Sequence, residues 1–180
     1  FAASLRGRVL VAGDAEYDGA RRLWNGEFDL RPALIARCTG TADVMRAVDF
    51  AREHGLLTAV RAGGHSTAGK SSCNGGIMID VSPMQGVRVD PVARRAYVQA
   101  GTLLGQLDHE CAAFGLVTTA GTVSHTGAAG LTLGGGFGRV GRRFGLACDN
   151  LLAADVVTAA GKRLRAEDSA DAELLWGLRG

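Results

Sequence analysis

A chain of 180 residues is long enough to bury a substantial core, and its length favours one domain, at most two lobes. Hydrophobic residues at 47% and charged residues at 21% are ordinary for a folded protein, and a formal charge of +2 is too small to argue for nucleic acid or an anionic membrane surface. No stretch approaches the roughly 18 uninterrupted apolar residues of a membrane-spanning helix.

The first residues lack a charged-then-apolar signal pattern, as a processed or truncated start also would. The expectation is a cytoplasmic protein with no nucleic-acid or membrane partner, its oligomeric state left open. Arg94-Arg95 and Arg142-Arg143 read as solvated faces. Cys38, Cys73, Cys111 and Cys148 are scattered without a CxxC pair, so they read as reduced, buried small hydrophobes; no metal site is expected. The unusual feature is 27 glycines against 3 prolines, and the glycines are clustered.

Residues 1–32 carry no clear pattern. Leu34 to Arg37 is a short apolar run read as a strand. A helix opens at Thr41-Ala42-Asp43, with Val44, Ala47, Val48 and Ala51 on one face and Gly55 at its end. Residues 57–61 form the next predicted strand, then comes the loop Ala62-Gly63-Gly64-His65-Ser66, and residues 77–81 form another strand. This order predicts a small α/β lobe. Residues 87–89 and 96–100 read as a hairpin turning near Asp90-Pro91. Thr102 is a candidate N-cap for a helix through Leu107 and Cys111, closed by Gly115. The stretch 121–138 is too rich in glycine for a regular element. Residues 151–157 and 162–165 read as paired strands about Ala160-Gly161, and 170–177 as a final short helix carrying Trp176.

Dense glycine loops often cradle phosphates through backbone N–H groups. Gly64 to Ser71 satisfies the nucleotide P-loop string GxxxxGK[ST], but a P-loop must run straight into a helix. Here Ser72-Cys73-Asn74-Gly75-Gly76 leads directly to the strand at Ile77. Gly136 to Gly141 fits GxGxxG, yet no good strand precedes it and the next strand ends without an acid. Both matches are set aside.

The two loops taken together are more specific. The first is Arg61-Ala62-Gly63-Gly64-His65-Ser66 with Gly69 following. The second runs Ala120-Gly121-Thr122-Val123-Ser124-His125-Thr126-Gly127 and on through Gly130 and Gly134-Gly135-Gly136-Phe137-Gly138, then Arg142-Arg143-Phe144-Gly145-Leu146-Ala147-Cys148-Asp149-Asn150. In order, spacing and identity, from about Pro32 to Gly180, these strings resemble the FAD-binding domain of the vanillyl-alcohol oxidase, or PCMH-type, superfamily. The likeness is to its berberine-bridge-enzyme-like branch and, within that, to the branch resembling 6-hydroxy-D-nicotine oxidase.

The resemblance implies an α+β fold: a PCMH-type FAD-binding domain of two α/β lobes, about 1–86 and 87–180, with the FAD between them. It implies that Arg61, Ala62, Gly63, Gly64, Ser66 and Gly69 wrap the FAD pyrophosphate and that His65 bonds the 8α-methyl carbon of the flavin. Gly121, Thr122, Ser124, Thr126, Gly127 and Gly130 would contact the pyrophosphate, ribityl chain and ring edge. Gly134, Gly135 and Gly138 would allow tight backbone passage, and Val157 would lie near the adenine.

A neutral imidazole nitrogen is a competent nucleophile, and the C8 methyl of oxidised flavin becomes electrophilic once it loses a proton. Positive charge nearby favours that form, and Arg61 is the candidate supplier. A loop histidine taken alone is more often satisfied by backbone carbonyls; the surrounding string favours the flavin bond. Some relatives add a second link from a cysteine, but the matching position is Val123, so a single 8α-histidyl attachment is expected, with Cys148 packing. His125, in the loop that the resemblance turns toward the ring, is left between a structural and a catalytic role, His54 and His109 read as surface residues of helices, and no catalytic base can be named.

The activity implied is that of an FAD-dependent oxidase taking hydride from a C–H next to nitrogen or oxygen of a small molecule and reducing O₂ to H₂O₂. In the family a separate substrate domain follows, so this chain is expected to be one piece of a longer enzyme. A flavin-binding module without its own turnover and a P-loop hydrolase are the alternatives.

Overall fold

The computed structural model describes residues 1–179; Gly180, at the edge of the predicted second lobe, lies outside the described residues. The chain forms two compact units, residues 1–84 with 157–163, and residues 85–156 with 164–180.

The first unit is built on a four-stranded sheet of β1 (Arg8–Val11), β2 (Leu34–Arg37), β3 (Thr58–Arg61) and β4 (Ile77–Asp80), in the order β1-β2-β4-β3. β2 and β3 flank β4 in parallel, while β1 closes one edge antiparallel to β2. The Ile-Met-Ile-Asp of β4 is buried at all four positions, as a central parallel strand covered on both faces must be. Between β2 and β3 lies α2 (Thr41–Glu53), which buries Ala47 and Ala51 and packs Val44 and Val48 on Ala36, Ile77 and Ile79. Gly55, at φ +61°, ends it as expected.

Residues 1–32, which carry no clear pattern, hold β1 and a five-residue helix, α1 (Tyr17–Arg21). The Tyr17 hydroxyl donates to Pro32 O at 2.6 Å from a buried ring. Arg21, itself buried, is clasped by Asp18 at 2.7 Å and by Asp29. Asp43, in the first turn of α2, accepts from the N–H groups of Arg6, Gly7 and Thr39 and from the Thr39 hydroxyl. Burial pushes this carboxyl up, but those donors outweigh it and hold it below its ordinary value.

The second unit begins with the antiparallel hairpin β5 (Val87–Asp90) and β6 (Arg95–Val98), then α3 (Leu104–Ala112), which Gly115 terminates at φ +65°. Thr102 is not the N-cap. It is fully buried with its hydroxyl on Gly86 O at 3.4 Å, and Leu103 takes the cap position, its N–H donating to Gln106 Oε1 at 2.8 Å. The glycine-rich stretch also departs from expectation, because it contains α4 (Ala128–Leu133) and, just beyond it, the single turn α5 (Gly141–Phe144). Only one glycine lies inside α4. Ala128 and Leu131 make a face that packs with Leu104 and Leu107, and the other glycines fall at its ends and beyond. The chain closes with the hairpin β7 (Ala153–Val157) and β8 (Arg163–Glu167) and with α6 (Ala172–Leu178). Among the described residues no helix is long and apolar enough to cross a membrane.

Candidate cofactor site

Both candidate loops take their shape from what stands at their ends. The first leaves the carboxyl end of β3, the end at which open parallel sheets commonly bind ligands. There Arg61 pairs in register with Asp80 of β4, as does Arg37 of β2. Asp80 is 1% exposed and lies 3.3 Å from Arg61 Nη1 and 3.4 Å from Arg37 Nε. The Arg61 charge is therefore met by a buried carboxylate at the root of the loop, which weakens the expectation that it supplies positive potential to a flavin ring.

After Arg61 the chain turns through Ala62 and Gly63 to Gly64, which is buried with φ +70°, a conformation that excludes most side chains. A Cβ there would also come within 3.3 Å of Arg61 Nε, a buried nitrogen without a hydrogen-bond partner. His65 follows, half-buried, and Ser66 Oγ accepts from Lys70 N at 3.1 Å.

A support that the sequence did not disclose comes from residues 24–28. The Trp24 ring lies on the His65 imidazole, with centroids 5.2 Å apart and planes 17° from parallel. Trp24 N–H donates to Gly64 O at 3.0 Å, and Asn25 Nδ2 to Thr67 O at 3.0 Å. Phe28 fills the space above Gly69, whose φ is +70° and whose added Cβ would meet the ring at 2.5 Å. No sequence signal could have found this brace, since its partners are some forty residues apart.

The second loop is organised by its carbonyls. Ser124 O accepts from Gly105 N at 2.8 Å and Thr126 O from Leu104 N at 2.9 Å, so the loop satisfies the first N–H groups of α3. Gly127, buried, bridges Leu103 and leads into α4, which holds Gly130. With its carbonyls engaged on that side, the loop leaves Thr122, Val123, Ser124 and His125 exposed. Gly121 and Thr122 line a cavity of about 180 Å³ together with Asp108, Val117, Thr118, Ala120, Arg139 and Val140. Gly134 caps α4, and Gly135 O and Gly136 O accept from Cys148 N and Ala147 N at 3.0 and 2.7 Å. Gly138 runs against the backbone of Ala120, whose carbonyl oxygen a Cβ would overlap.

The remaining candidates fall outside these arrangements. Val157 ends β7 and is half-buried. His54 and His109 are exposed at the end of α2 and on α3. All four cysteines are buried and free; burial pushes the Cys38 thiol up to about 12 and raises Cys73 and Cys111 as well. The P-loop alternative fails on geometry, because no helix follows Ser71 and the chain reaches β4 through turns.

A profile of the FAD binding domain family matches residues 32–167. The chain is 38% identical over 177 residues to (R)-6-hydroxynicotine oxidase of Paenarthrobacter nicotinovorans, covering 98% of this chain and 39% of that protein. It is 39% identical over 181 residues to an FAD-linked oxidoreductase of Dictyostelium discoideum, covering 100% of this chain and 40% of that one. The crystal structure of 6-hydroxy-D-nicotine oxidase from Arthrobacter nicotinovorans superposes with a TM-score of 0.97 at 38% identity, over 98% of this chain and 39% of that one. The BBE-like 1 protein of Physcomitrella patens gives 0.94 at 31%, over 99% and 39%. The chain belongs to the PCMH-type FAD-linked oxidoreductases, in their berberine-bridge-enzyme-like branch. It spans about two fifths of the length of these relatives.

The residues of this FAD-binding domain fit their cofactor. A loop that turns on buried Gly64 and Gly69 and a second that exposes hydroxyls of Thr122 and Ser124 offer hydrogen-bonding groups of the kind a pyrophosphate and a polyol chain accept. Side chains added at Gly64, Gly69 and Gly138 would collide with the loops' own supports.

Proposed function

We propose that the protein is an FAD-linked oxidase that takes hydride from a C–H next to nitrogen or oxygen of a small molecule and passes the electrons to O₂, with FAD bound covalently through His65. The observation that carries the covalent part is the presentation of His65: half-buried, directly after a left-handed glycine, at the carboxyl end of a parallel strand. Membership of the family supports the redox part.

FAD, when bound, supplies the two-electron acceptor that no side chain of the protein provides. Arg61, Ala62, Gly63, Gly64, Ser66 and Gly69 hold its pyrophosphate. Gly121, Thr122, Ser124, Thr126, Gly127 and Gly130 hold the pyrophosphate, ribityl chain and ring edge, Gly134, Gly135 and Gly138 let the backbone pass closely, and Val157 serves the adenine side. Attachment would replace the N–H of the His65 ring by an N–C bond to the flavin C8 methyl carbon, at the loss of one C–H there. The two protons and two electrons released would pass to O₂ as H₂O₂. With valine at position 123, attachment is through histidine alone.

The decisive experiment is an intact-mass measurement of the native protein. One FAD-sized increment that survives acid denaturation, and that His65→Ala removes, is the expected result. A native chain without that increment overturns the covalent assignment. Peroxide release by the full-length gene product across a panel of amines and alcohols tests the oxidase assignment separately.

A further inference from the structure

Among the exposed apolar side chains, Trp24 stands out. It is 61% exposed, yet its backbone and its ring are both committed to the histidine loop. Exposure alone does not mark it, since single exposed aromatics are normal; its contacts with the loop do.

Geometry gives those contacts a use. The reactive electron pair of an imidazole nitrogen lies in the plane of the ring and points out from its edge. A partner stacked on the ring face therefore fixes the plane of the imidazole without covering the atom that must react. The Trp24 indole does this for His65, 17° from parallel at 5.2 Å, inside the 4.5–7 Å range of offset aromatic pairs. Trp24 is itself held at two levels. Its N–H is tied to Gly64 O, one residue before the histidine, and its neighbours Leu23, buried at 9% exposure, and Asn25, bonded to Thr67 O, fix the chain on either side. Four contacts from 24–28 thus meet the loop at Gly64, His65, Thr67 and Gly69.

We infer that Trp24 is a positioning residue for covalent flavin attachment: it acts through His65, holding the imidazole plane so that a ring nitrogen is presented edge-on to the flavin methyl carbon. This rests on the assignment of His65 as the attachment point. Preorganised attack geometry accelerates bond formation, whereas noncovalent affinity for FAD depends mostly on the loop backbones. The two quantities should therefore separate when the stack is removed. The bond made is His65 N to the flavin 8α carbon; one N–H and one C–H are lost, and O₂ accepts the two protons and two electrons as H₂O₂.

The test uses the full-length gene product, prepared without flavin and mixed with FAD in air, following total bound flavin by absorbance and covalent flavin by intact mass over time. Trp24→Ala should bind as much total flavin as the parent while forming the covalent bond about tenfold more slowly, the scale of a lost aromatic stack. Trp24→Phe should recover the rate to within about twofold, and Trp24→Leu, which restores apolar bulk without a ring face, should not. Equal rates in the parent and Trp24→Ala, or equal recovery by Phe and Leu, overturn the inference. So does a fall in total flavin that matches the fall in covalent flavin, which marks a merely structural role. Should Trp24→Ala fail to fold, the Phe and Leu pair carries the comparison. A parent protein that never gains the FAD mass, or an adduct that persists in His65→Ala, defeats the histidine assignment itself and is recognised without any Trp24 variant.

Discussion

The two glycine-rich loops solve different problems with the same residue. The first carries one reactive side chain and is held from outside: Trp24, Asn25 and Phe28 approach it from a distant segment, and its root rests on the buried Arg37–Asp80–Arg61 cluster. The second carries His125 but no assigned covalent link, and it is anchored through its backbone, with carbonyls spent on α3 and the chain threaded past Ala120. The contrast extends to the units that contain them. Among the described residues the buried charged side chains, Arg21, Asp43 and Asp80, all lie in the first unit, whereas the buried polar residues of the second are Thr102 and Thr119. A fixed imidazole needs a stiff, charge-locked base; a surface of small side chains and backbone needs only close packing.

That difference can be broken most forcefully at Asp80. Asp80→Asn leaves two guanidinium groups facing a neutral amide in a buried position, and unfolding by urea should register a loss of about 3 kcal/mol or more. A loss below about 1 kcal/mol would mean that the cluster contributes little and that the first loop is not charge-locked. In the second loop the matching change is Gly138→Ala, whose Cβ overlaps Ala120 O and forces the backbone to move. The expected cost is about 1–3 kcal/mol, with weakened FAD binding by fluorescence titration.

Acid should reveal the same asymmetry. Asp43 is held below its ordinary value in the fold, so the unfolded chain takes up its proton at higher pH than the folded one. Its contribution is therefore complete above about pH 4, the range of an unfolded aspartate, and drains away as pH falls through the lower folded value. Asp43→Asn should cost about 2 kcal/mol at neutral pH, because one oxygen becomes a donor facing donors, and should flatten the acid limb of the stability curve. A variant with an acid limb as steep as the parent's would assign that limb to other carboxylates.

How much of this was legible in the sequence follows the same physical line. α2 was readable because its apolar period repeats over 13 residues, β2, β3 and β4 because they are short apolar or β-branched runs bounded by loop residues, and both loops because glycine spacing is a local property. α1 was not, since five residues carry less than two helical periods, and β1, no shorter than β2 to β4, was missed because the residues around it show no pattern that sets it off. The brace on His65 was invisible because Trp24 offers no local sign of a partner forty residues away. Asp43 marks a helix start in the sequence and in the structure, but its reach back to Arg6 and Gly7 depends on the sheet that brings them close. α4 was hidden by averaging, the glycines around it outweighing the Ala128–Leu131 face within it.

Gly130 sharpens the comparison with the smallest effect. It is the one glycine inside α4, its φ is not in the left-handed region, and nothing lies within 4 Å of where a Cβ would stand. Helix propensity alone therefore predicts that Gly130→Ala stabilises the protein by about 0.5–1 kcal/mol. A glycine kept where alanine would fold better needs another use, and in the proposed site that use is backbone approach to FAD. Gly130→Ala should then raise the melting temperature of the flavin-free protein while weakening FAD binding several-fold. If stability rises and affinity is unchanged, Gly130 is not a cofactor contact, and the second loop holds FAD through Gly121 to Gly127 alone.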